Sequence, residues 1–230
     1  MRISVVVPVH NEADYLRRGV GGIADAIAQV EAEVDVCLVE NGSTDTTAQI
    51  AEELMGDHPW LSMLRLPDPD YGGAIRTGFL AAEGEWSVLF DIDYYSGHFL
   101  QQVMEAGTDV DVVIASKRAP GSDDRRSWVR RLATRVFNLI LRVILQSGVS
   151  DTHGMKAVRK HVVDAVAADV VSRQDLYDTE LVIRAERAGY RIAEVPVTVE
   201  EQREARSSLL KRVPRTLRGV WRIRRALRSA

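Results

Sequence analysis

The chain has 230 residues and a mass of 25.6 kDa, enough for one large α/β domain or two small ones. Hydrophobic residues make up 46% of the sequence and charged residues 27%. No apolar run approaches the roughly 18–20 residues that cross a bilayer, so we expect neither a membrane span nor a signal peptide. The single cysteine, Cys37, excludes an internal disulfide bond and any multi-cysteine metal site, and it indicates a reducing, cytoplasmic compartment.

The net charge of −3 is unevenly distributed. Residues 205–230 hold nine of the 30 Lys and Arg residues and no Asp or Glu, which leaves 21 basic and 33 acidic residues elsewhere. Apolar residues, Trp221 among them, recur there at helical spacing. The pattern predicts a basic amphipathic helix over 207–230, appended to a domain over 1–206 and suited to an anionic membrane surface. Packing of this helix on the acidic body is the alternative, and the acidic body argues against a nucleic-acid partner.

Apolar runs alternate with helical spacings along the first half of the chain. They predict strands at 3–7, 34–39, 62–66, 86–90 and 110–115, and helices at 13–31, 46–55, 74–82 and 98–106. We expect Pro8 to end the first strand and residues 68–73 to form a turn. This alternation predicts an α/β fold, a mostly parallel central sheet with helices on both faces. Such sheets bind ligands beyond the carboxyl ends of their strands.

Polar residues follow these strand ends, and the pair Asp91 and Asp93 follows the strongest predicted strand, 86–90. Two carboxylates one residue apart suit a hard divalent cation such as Mg²⁺ or Mn²⁺. The same residues are also common where a strand merely ends in a turn. No Gly-x-Gly-x-x-Gly or Gly-x-x-x-x-Gly-Lys-Ser/Thr motif is present, so dinucleotide and Walker-type phosphate sites are not supported.

The motifs and their order resemble the inverting family 2 glycosyltransferases of GT-A fold. Four segments carry the resemblance: VVVPVHNE at 5–12, VENGSTDTT at 39–47, YGGAIRTG at 71–78 and DID at 91–93. Within the family the sequence is most similar to dolichyl- or polyprenyl-phosphate sugar synthases. Three further segments support that similarity: VVIASKR at 112–118, DTHGMKA at 151–157, and DTEL with GYRIAEVPV within 178–197.

The resemblance implies a metal-dependent inverting enzyme that moves a sugar from a UDP- or GDP-linked donor to a polyprenyl phosphate, at the inner face of the cell membrane. It implies Mg²⁺ or Mn²⁺ bound by Asp91 and Asp93. The implied donor-binding residues are Pro8, His10, Asn11, Glu12, Glu40, Asn41, Gly42, Gly72, Gly73, Ala74, Arg76, Asp91 and Ile92.

Catalytic roles are expected for Asp93 and for cations that would bind the acceptor phosphate. These cations are Lys117, Arg130 and Arg131. A hydroxyl acceptor would need a base, for which Asp178 is the first candidate and Glu180 the second. Both acids also suit the start of a helix.

The sequence departs from the family pattern where the donor and acceptor would bind. Glu40-Asn41 stands in place of the usual Asp-Asp, and Tyr71 stands where a basic residue often precedes the glycines. Two alternatives therefore stay open. One is a glycosyltransferase that acts on a soluble hydroxyl acceptor, and the other is a non-catalytic module that binds nucleotide sugars.

Overall fold

The computed structural model describes residues 1–125, 128–149, 152, 154–199 and 209–229. Its strands are Arg2–Val9 (β1), Glu33–Asn41 (β2), Leu61–Leu66 (β3), Trp86–Leu89 (β4), Val112–Ser116 (β5), Asp123–Asp124 (β6), Lys156–Arg159 (β7), Ile192–Pro196 (β8) and Thr198–Val199 (β9). Its α-helices are Leu16–Ile27 (α1), Thr47–Asp57 (α2), Tyr71–Ala81 (α3), Gly97–Glu105 (α4), Trp128–Leu145 (α5), Lys160–Val166 (α6), Tyr177–Arg187 (α7) and Leu209–Ser229 (α8). Short 3₁₀ turns cover Ala167–Asp169 and Gln174–Leu176.

The central sheet of the described chain has seven strands in the order β3-β2-β1-β4-β7-β5-β8. Neighbouring strands run parallel except at β7, which is antiparallel to both β4 and β5. The predicted α/β class and mostly parallel sheet are confirmed. The sheet order brings the carboxyl ends of β1, β2 and β4 to one edge, because these three strands are adjacent and parallel.

Both faces of the sheet are covered, which explains why the first strand is apolar without alternation. Val5 and Val7 of β1 belong to a core cluster that includes Leu16 and Ile23 of α1. The intervening Val6 faces a second cluster on the other side of the sheet, with Phe79 of α3. The two clusters hold the strands from both sides and fix the register of the site at their ends.

Pro8 does not end the first strand, contrary to the prediction. β1 continues to Val9, and Pro8 pairs with Val39 of β2. The strand pairing between β1 and β4 stops at Val6 and Leu89. Pro8 therefore lies beyond the ladder on the β4 side, where its missing N–H leaves no strand partner unsatisfied.

The helix predicted from residue 74 begins earlier, at Tyr71. Its N-cap is Asp70, whose side chain accepts a hydrogen bond from the Gly73 backbone N–H. The three residues expected in a turn form the first helical turn, because an aspartate at the N-cap satisfies an amide that two glycines would otherwise leave exposed to water.

The C-terminal helix packs on the body through part of its apolar side. Val220 and Ile223 of α8 are fully buried in a cluster with Leu141 and Leu145 of α5. Trp221, in contrast, is 57% exposed. Among the described helices, none combines the length and the apolarity that a membrane span requires. The expected boundary at 206 and 207 lies outside the described residues.

Gly42, which follows β2, has a φ of +68°, and a Cβ built there would lie 2.8 Å from the Asp68 carbonyl carbon. We expect Gly42→Ala to lower the free energy of unfolding by about 1–2 kcal/mol or more, because the left-handed backbone and the contact with a rigid main chain both oppose a methyl group. Gly21→Ala in α1 is the matched control, since nothing lies within 4 Å of its Cβ position. Urea unfolding should show the control unchanged or stabilised. Equal stability of Gly42→Ala and the wild type would contradict this account.

Candidate active site

Asp91 and Asp93 lie on a tight turn directly after β4. The Asp91 N–H donates to the Tyr94 carbonyl oxygen at 3.1 Å, and the Tyr94 N–H donates back to the Asp91 carbonyl oxygen at 3.0 Å. Ile92 between them is only 3% exposed and packs in the main core cluster. The buried isoleucine anchors the turn, so both carboxylates are held at the carboxyl end of the strand.

Asp91 lies in an electrostatic environment that disfavours an isolated negative charge. Loss of hydration raises the pKa of its carboxyl group, a hydrogen bond from Tyr71 lowers it, and the nearby charge of Asp93 raises it. The Tyr71 hydroxyl donates to Asp91 Oδ1 at 2.7 Å. Two adjacent carboxylates, one of them poorly hydrated, favour a cation between them.

A buried ion pair lies close to this turn. Lys156 of β7 is 0% exposed, and its Nζ donates to Asp178 Oδ2 at the start of α7. Both groups act on the pKa of Asp91, the ammonium lowering it and the Asp178 carboxylate raising it. Asp178 thus belongs to the same charged cluster as the two aspartates, and its carboxylate faces an ammonium group.

Glu180, the second candidate base, is fully engaged in local structure. It is 0% exposed, and its carboxylate accepts hydrogen bonds from the backbone N–H groups of Val171 and Ser172. Arg184 Nε also donates to it at 2.8 Å. With three donors and no solvent contact, Glu180 tethers the preceding loop to α7 and is poorly placed to take a proton from an acceptor.

The predicted nucleotide-binding residues lie together at the ends of β1 and β2. Asn41 joins three segments, because its Nδ2 donates to the Val9 carbonyl at 3.2 Å and its Oδ1 accepts from the Asp70 N–H at 2.9 Å. His10 Nδ1 lies 2.8 Å from the Asn41 carbonyl oxygen. Asn11, at a positive φ of 52°, accepts from the Thr44 N–H through its Oδ1.

Two acids line the same region. Glu40 is 2% exposed, and it accepts from the Ser43 N–H and lies 3.5 Å from Arg65 Nε. Glu12 is 9% exposed, and its backbone N–H donates to the Thr47 hydroxyl at 2.7 Å. Pro8 pairs with Val39 of β2, and Gly42 directly follows β2. The network organises the loops that follow two adjacent strands.

The glycine-rich segment forms the first turn of α3. The Gly73 N–H donates to the Asp70 carboxylate and the Ala74 N–H donates to the Asp70 carbonyl. A Cβ on Gly72 would lie 2.6 Å from the Gln174 backbone nitrogen, so this glycine lets α3 approach the 3₁₀ turn before α7. Arg76 is exposed on the same helix. The Gly73 amide is thus used in capping the helix, and the Ala74 amide makes the first i→i−4 hydrogen bond of α3.

One of the three expected acceptor cations, Lys117, lies beside the two aspartates. A Cβ built on Gly154 would lie 3.1 Å from Lys117 Nζ and 3.5 Å from the Tyr94 ring. Lys117 therefore lies beside the turn that carries the two aspartates. Arg131 is exposed on α5, while the side chain of Arg130 lies outside the described part of that helix.

The donor set at Asp91 and Asp93 fits a hard divalent cation, since carboxylate oxygens are its preferred protein ligands. In the described part of the chain, no three His, Cys, Asp or Glu side chains converge on one ion position. Two protein carboxylates are typical of a site in which substrate phosphates and water complete the coordination shell. The geometry suits a metal ion that is shared with a diphosphate.

The sequence interpretation gave no role to Lys156 or Asp70, although both belong to the quoted segments or their flanks. Asp70 Oδ1 accepts from the N–H groups of both Gly73 and Gln174 at 3.1 Å, so it ties α3 to the segment before α7. A lysine within the apolar run Met155–Val158 was the available signal for Lys156, because a buried lysine needs a buried partner.

Comparisons with known proteins identify relatives of this chain. The family model described as glycosyl transferase family 2 matches residues 4–167. The chain is 29% identical to an undecaprenyl-phosphate mannosyltransferase of Micrococcus luteus, over 91% of this chain and 88% of that protein. It is also 29% identical to a polyprenol monophosphomannose synthase of Mycolicibacterium smegmatis, over 87% and 78%. For glycosyltransferase AglD of Haloferax volcanii the identity is 29% over 92% of this chain, which spans only 35% of that relative.

The fold is also found among solved structures. Glucosyl-3-phosphoglycerate synthase from Mycobacterium tuberculosis, in complex with Mn²⁺, UDP and glucosyl-3-phosphoglycerate, has a TM-score of 0.68 at 22% identity, covering 96% of this chain and 78% of that one. A complex of the same enzyme with Mg²⁺ and UDP has a TM-score of 0.67. This fold thus accommodates a divalent metal ion together with a nucleoside diphosphate. Since the family model covers most of the chain, the protein belongs to glycosyl transferase family 2 and is a glycosyltransferase of GT-A fold.

Proposed function

We propose that the protein transfers a sugar from a nucleotide-diphosphate donor to a polyprenyl phosphate, with inversion at the anomeric carbon and with Mg²⁺ or Mn²⁺ bound by Asp91 and Asp93. The observation that carries the proposal is the clustering of Asp91 and Asp93 at the end of β4, beside the network around Asn41. Two relatives are named undecaprenyl-phosphate mannosyltransferase and polyprenol monophosphomannose synthase. The similarity of this chain to them supports a lipid acceptor.

In the proposed reaction the leaving diphosphate gains negative charge as the bond to the sugar breaks. Asp91 and Asp93 would hold Mg²⁺ or Mn²⁺, which would supply a Lewis acid for that charge. The Asp91–Tyr94 turn holds the two carboxylates in place, and the Tyr71 hydroxyl orients Asp91. Pre-positioning of this kind contributes to the rate, because the ligands need not reorganise during the reaction.

A phosphate acceptor is already an anion at neutral pH and needs no strong general base. Lys117, beside the Asp91–Tyr94 turn, is the described cation best placed to attract it. Arg130 and Arg131 remain proposed partners on α5. Asp178 faces Lys156, so in this proposal it holds the ammonium group near Asp91 and takes no proton from the acceptor.

The donor site is proposed to lie at the ends of β1 and β2. Glu12 and Glu40 would contact the base or ribose, and the hydrogen bonds of Asn41 would keep the two strand ends at a fixed separation.

A membrane position at the inner face of the cell membrane is part of the same proposal. The described exposed residues of α8 include Trp221 and Arg218, Arg222, Arg225 and Arg228, which suits contact with anionic headgroups. Residues 207–230 are proposed to act as this peripheral contact, appended to a catalytic domain over 1–206.

A transfer assay with two kinds of acceptor tests the proposal. Labelled UDP- and GDP-sugars are offered with Mn²⁺ and either a polyprenyl phosphate in detergent or 3-phosphoglycerate in water. We expect label to enter the organic phase with the lipid acceptor and not to enter phosphoglycerate. Transfer to phosphoglycerate alone would favour the soluble-acceptor alternative. Donor binding without transfer to any acceptor would favour a binding module.

Tyr71→Phe tests the role of the hydroxyl beside the metal site. Removing the donor to Asp91 Oδ1 should weaken Mn²⁺ binding to the enzyme–donor complex by about 10–100-fold, as expected for a group that orients a metal ligand. Tyr190→Phe, outside this site, is the control. Calorimetric titration of Mn²⁺ in the presence of the nucleoside diphosphate gives the affinity. Unchanged affinity in Tyr71→Phe would show that the hydroxyl plays no part in metal binding.

A further inference from the structure

One side of α5 carries large apolar side chains that remain exposed. They recur at helical spacing and are named here the α5 apolar stripe: Trp128, Leu132, Val136, Leu139 and Val143. Each is between 49% and 68% exposed. The helix packs on the body through a different side, where Leu141 and Leu145 are buried. The stripe therefore plays no part in the core, and burying it elsewhere would be favourable.

A row of arginines runs beside the stripe. Arg131, Arg135 and Arg142 are exposed and project from the adjoining side of the helix, given a rotation of about 100° per residue. Arg135 and Arg142 line a pocket of about 230 Å³ together with Arg118, Asn138, Leu139 and Val149. We name this pocket the arginine pocket. None of the described residues that line it is acidic, and Leu139 belongs to both the pocket and the stripe.

We propose that the α5 apolar stripe and the arginine pocket together form a docking surface for an anionic lipid bilayer. The stripe would enter the boundary between headgroups and acyl chains, and the arginine pocket would hold a lipid phosphate. This proposal deepens the proposed function and rests on it, because the need to reach a lipid acceptor comes from there. It adds α5 to residues 207–230 as a second membrane contact.

Two observations favour a bilayer over a second copy of the chain. The sequence of α5 contains four arginines and no Asp or Glu. In a two-fold dimer the same patch meets itself, so two such helices would bring their positive charges together without carboxylates to offset them. An anionic bilayer offers negative headgroups next to an apolar layer, and the stripe and the arginine row match that arrangement along the roughly 27 Å length of an 18-residue helix.

The C-terminal helix α8 alone is less suited to contact with a bilayer. Part of its apolar side is used within the protein, because Val220 and Ile223 are fully buried against α5. Trp221 stays exposed, with Arg224 located 5.3 Å from its ring centroid. Between residues 216 and 228, where the side chains of α8 are described, the exposed residues are thus one tryptophan and four arginines, whereas α5 presents an apolar stripe of five residues.

Co-sedimentation of the full chain with vesicles tests the surface. Vesicles of phosphatidylcholine with one third phosphatidylglycerol are compared with pure phosphatidylcholine. We expect the double variants Leu139→Glu/Val143→Glu and Arg135→Gln/Arg142→Gln to bind anionic vesicles roughly tenfold more weakly, or worse. The controls are Leu80→Glu, an exposed leucine on α3, and Arg191→Gln, an exposed arginine before β8, and both should bind like the wild type.

Melting temperatures and donor binding without vesicles are measured on the same proteins. Normal values in both double variants, together with lost vesicle binding, would support the surface. Vesicle binding equal to the wild type in Leu139→Glu/Val143→Glu would overturn it. The wild type could instead form a dimer that does not bind vesicles and that Leu139→Glu/Val143→Glu dissociates. That result would overturn the membrane proposal in favour of self-association. If the wild type binds vesicles but glycosylates no lipid, the result would support the docking surface and reject the proposed function.

Discussion

Asp93→Ala is expected to lower kcat by about a thousandfold and to abolish the dependence of donor binding on Mn²⁺. The reason is that the leaving diphosphate would lose several kcal/mol of charge stabilisation, and about 1.4 kcal/mol corresponds to a factor of ten. Asp93 lies on a turn that is fixed by Ile92 and by backbone hydrogen bonds, so the fold should survive the change. Steady-state kinetics across a range of Mn²⁺ concentrations measure the effect.

The matched control for this substitution is Asp164→Ala. Asp164 is an exposed aspartate in α6 that pairs with Lys160 one turn earlier, so its loss should leave kcat within about twofold and stability within about 0.5 kcal/mol. Full activity of Asp93→Ala, or of the wild type in excess chelator, would show that the two aspartates only end the strand.

Lys156→Met is expected to cost about 3–5 kcal/mol of unfolding free energy, because it leaves the Asp178 carboxylate buried without its counter-charge. Asp178 is 5% exposed, so solvent cannot replace the ammonium group. The double variant Lys156→Met/Asp178→Asn removes both charges and should recover most of that loss. Urea denaturation of the wild type, both single variants and the double variant gives the coupling energy.

Failure of the double variant to recover stability would contradict this account of the pair. If Lys156→Met does not fold, the double variant still decides the question, since only a charge penalty is relieved by neutralising the partner. Asp178→Asn alone should also be destabilised, because it leaves Lys156 unpaired at 0% exposure.

The parts of the fold that follow from local pattern could be predicted from the sequence. β1, β2 and β4 are apolar runs covered on both faces, and the polar residues after them mark the edge that binds ligands. β7 could not be found in this way. It is the four-residue segment KAVR with charged ends, and it becomes a strand only because β4 and β5 flank it. Its antiparallel direction depends on those long-range partners.

In the candidate site, too, some features could be predicted from local sequence and others depend on long-range contacts. The DxD turn could be predicted, since both aspartates follow directly on a buried strand. The pairing of Lys156 with Asp178 could not, because 22 residues separate them and the contact depends on how α7 packs against β7. The same holds for Glu180, whose sequence position suits a base but whose carboxylate is taken up by Val171, Ser172 and Arg184.

The C-terminal region illustrates why an amphipathic pattern does not name its partner. Periodicity predicted a helix over 207–230, and α8 covers Leu209–Ser229, but Val220 and Ile223 pack on α5 while Trp221 remains exposed. On α5 the apolar residues are spread over two sides, one in the core and one exposed. Both sets of apolar residues recur at helical spacing in the sequence, so only the tertiary structure shows which set is buried and which is exposed.

Proton NMR of the lipid-linked product tests the central claim most directly. The enzyme is supplied with an α-linked nucleotide sugar, a polyprenyl phosphate and Mn²⁺ or Mg²⁺, and the metal is removed before the product spectrum is recorded. The account predicts a β-linked sugar phosphate, formed with the metal and lost in excess chelator. An α-linked product would contradict inversion, and undiminished product in the chelator would contradict a metal site at Asp91 and Asp93.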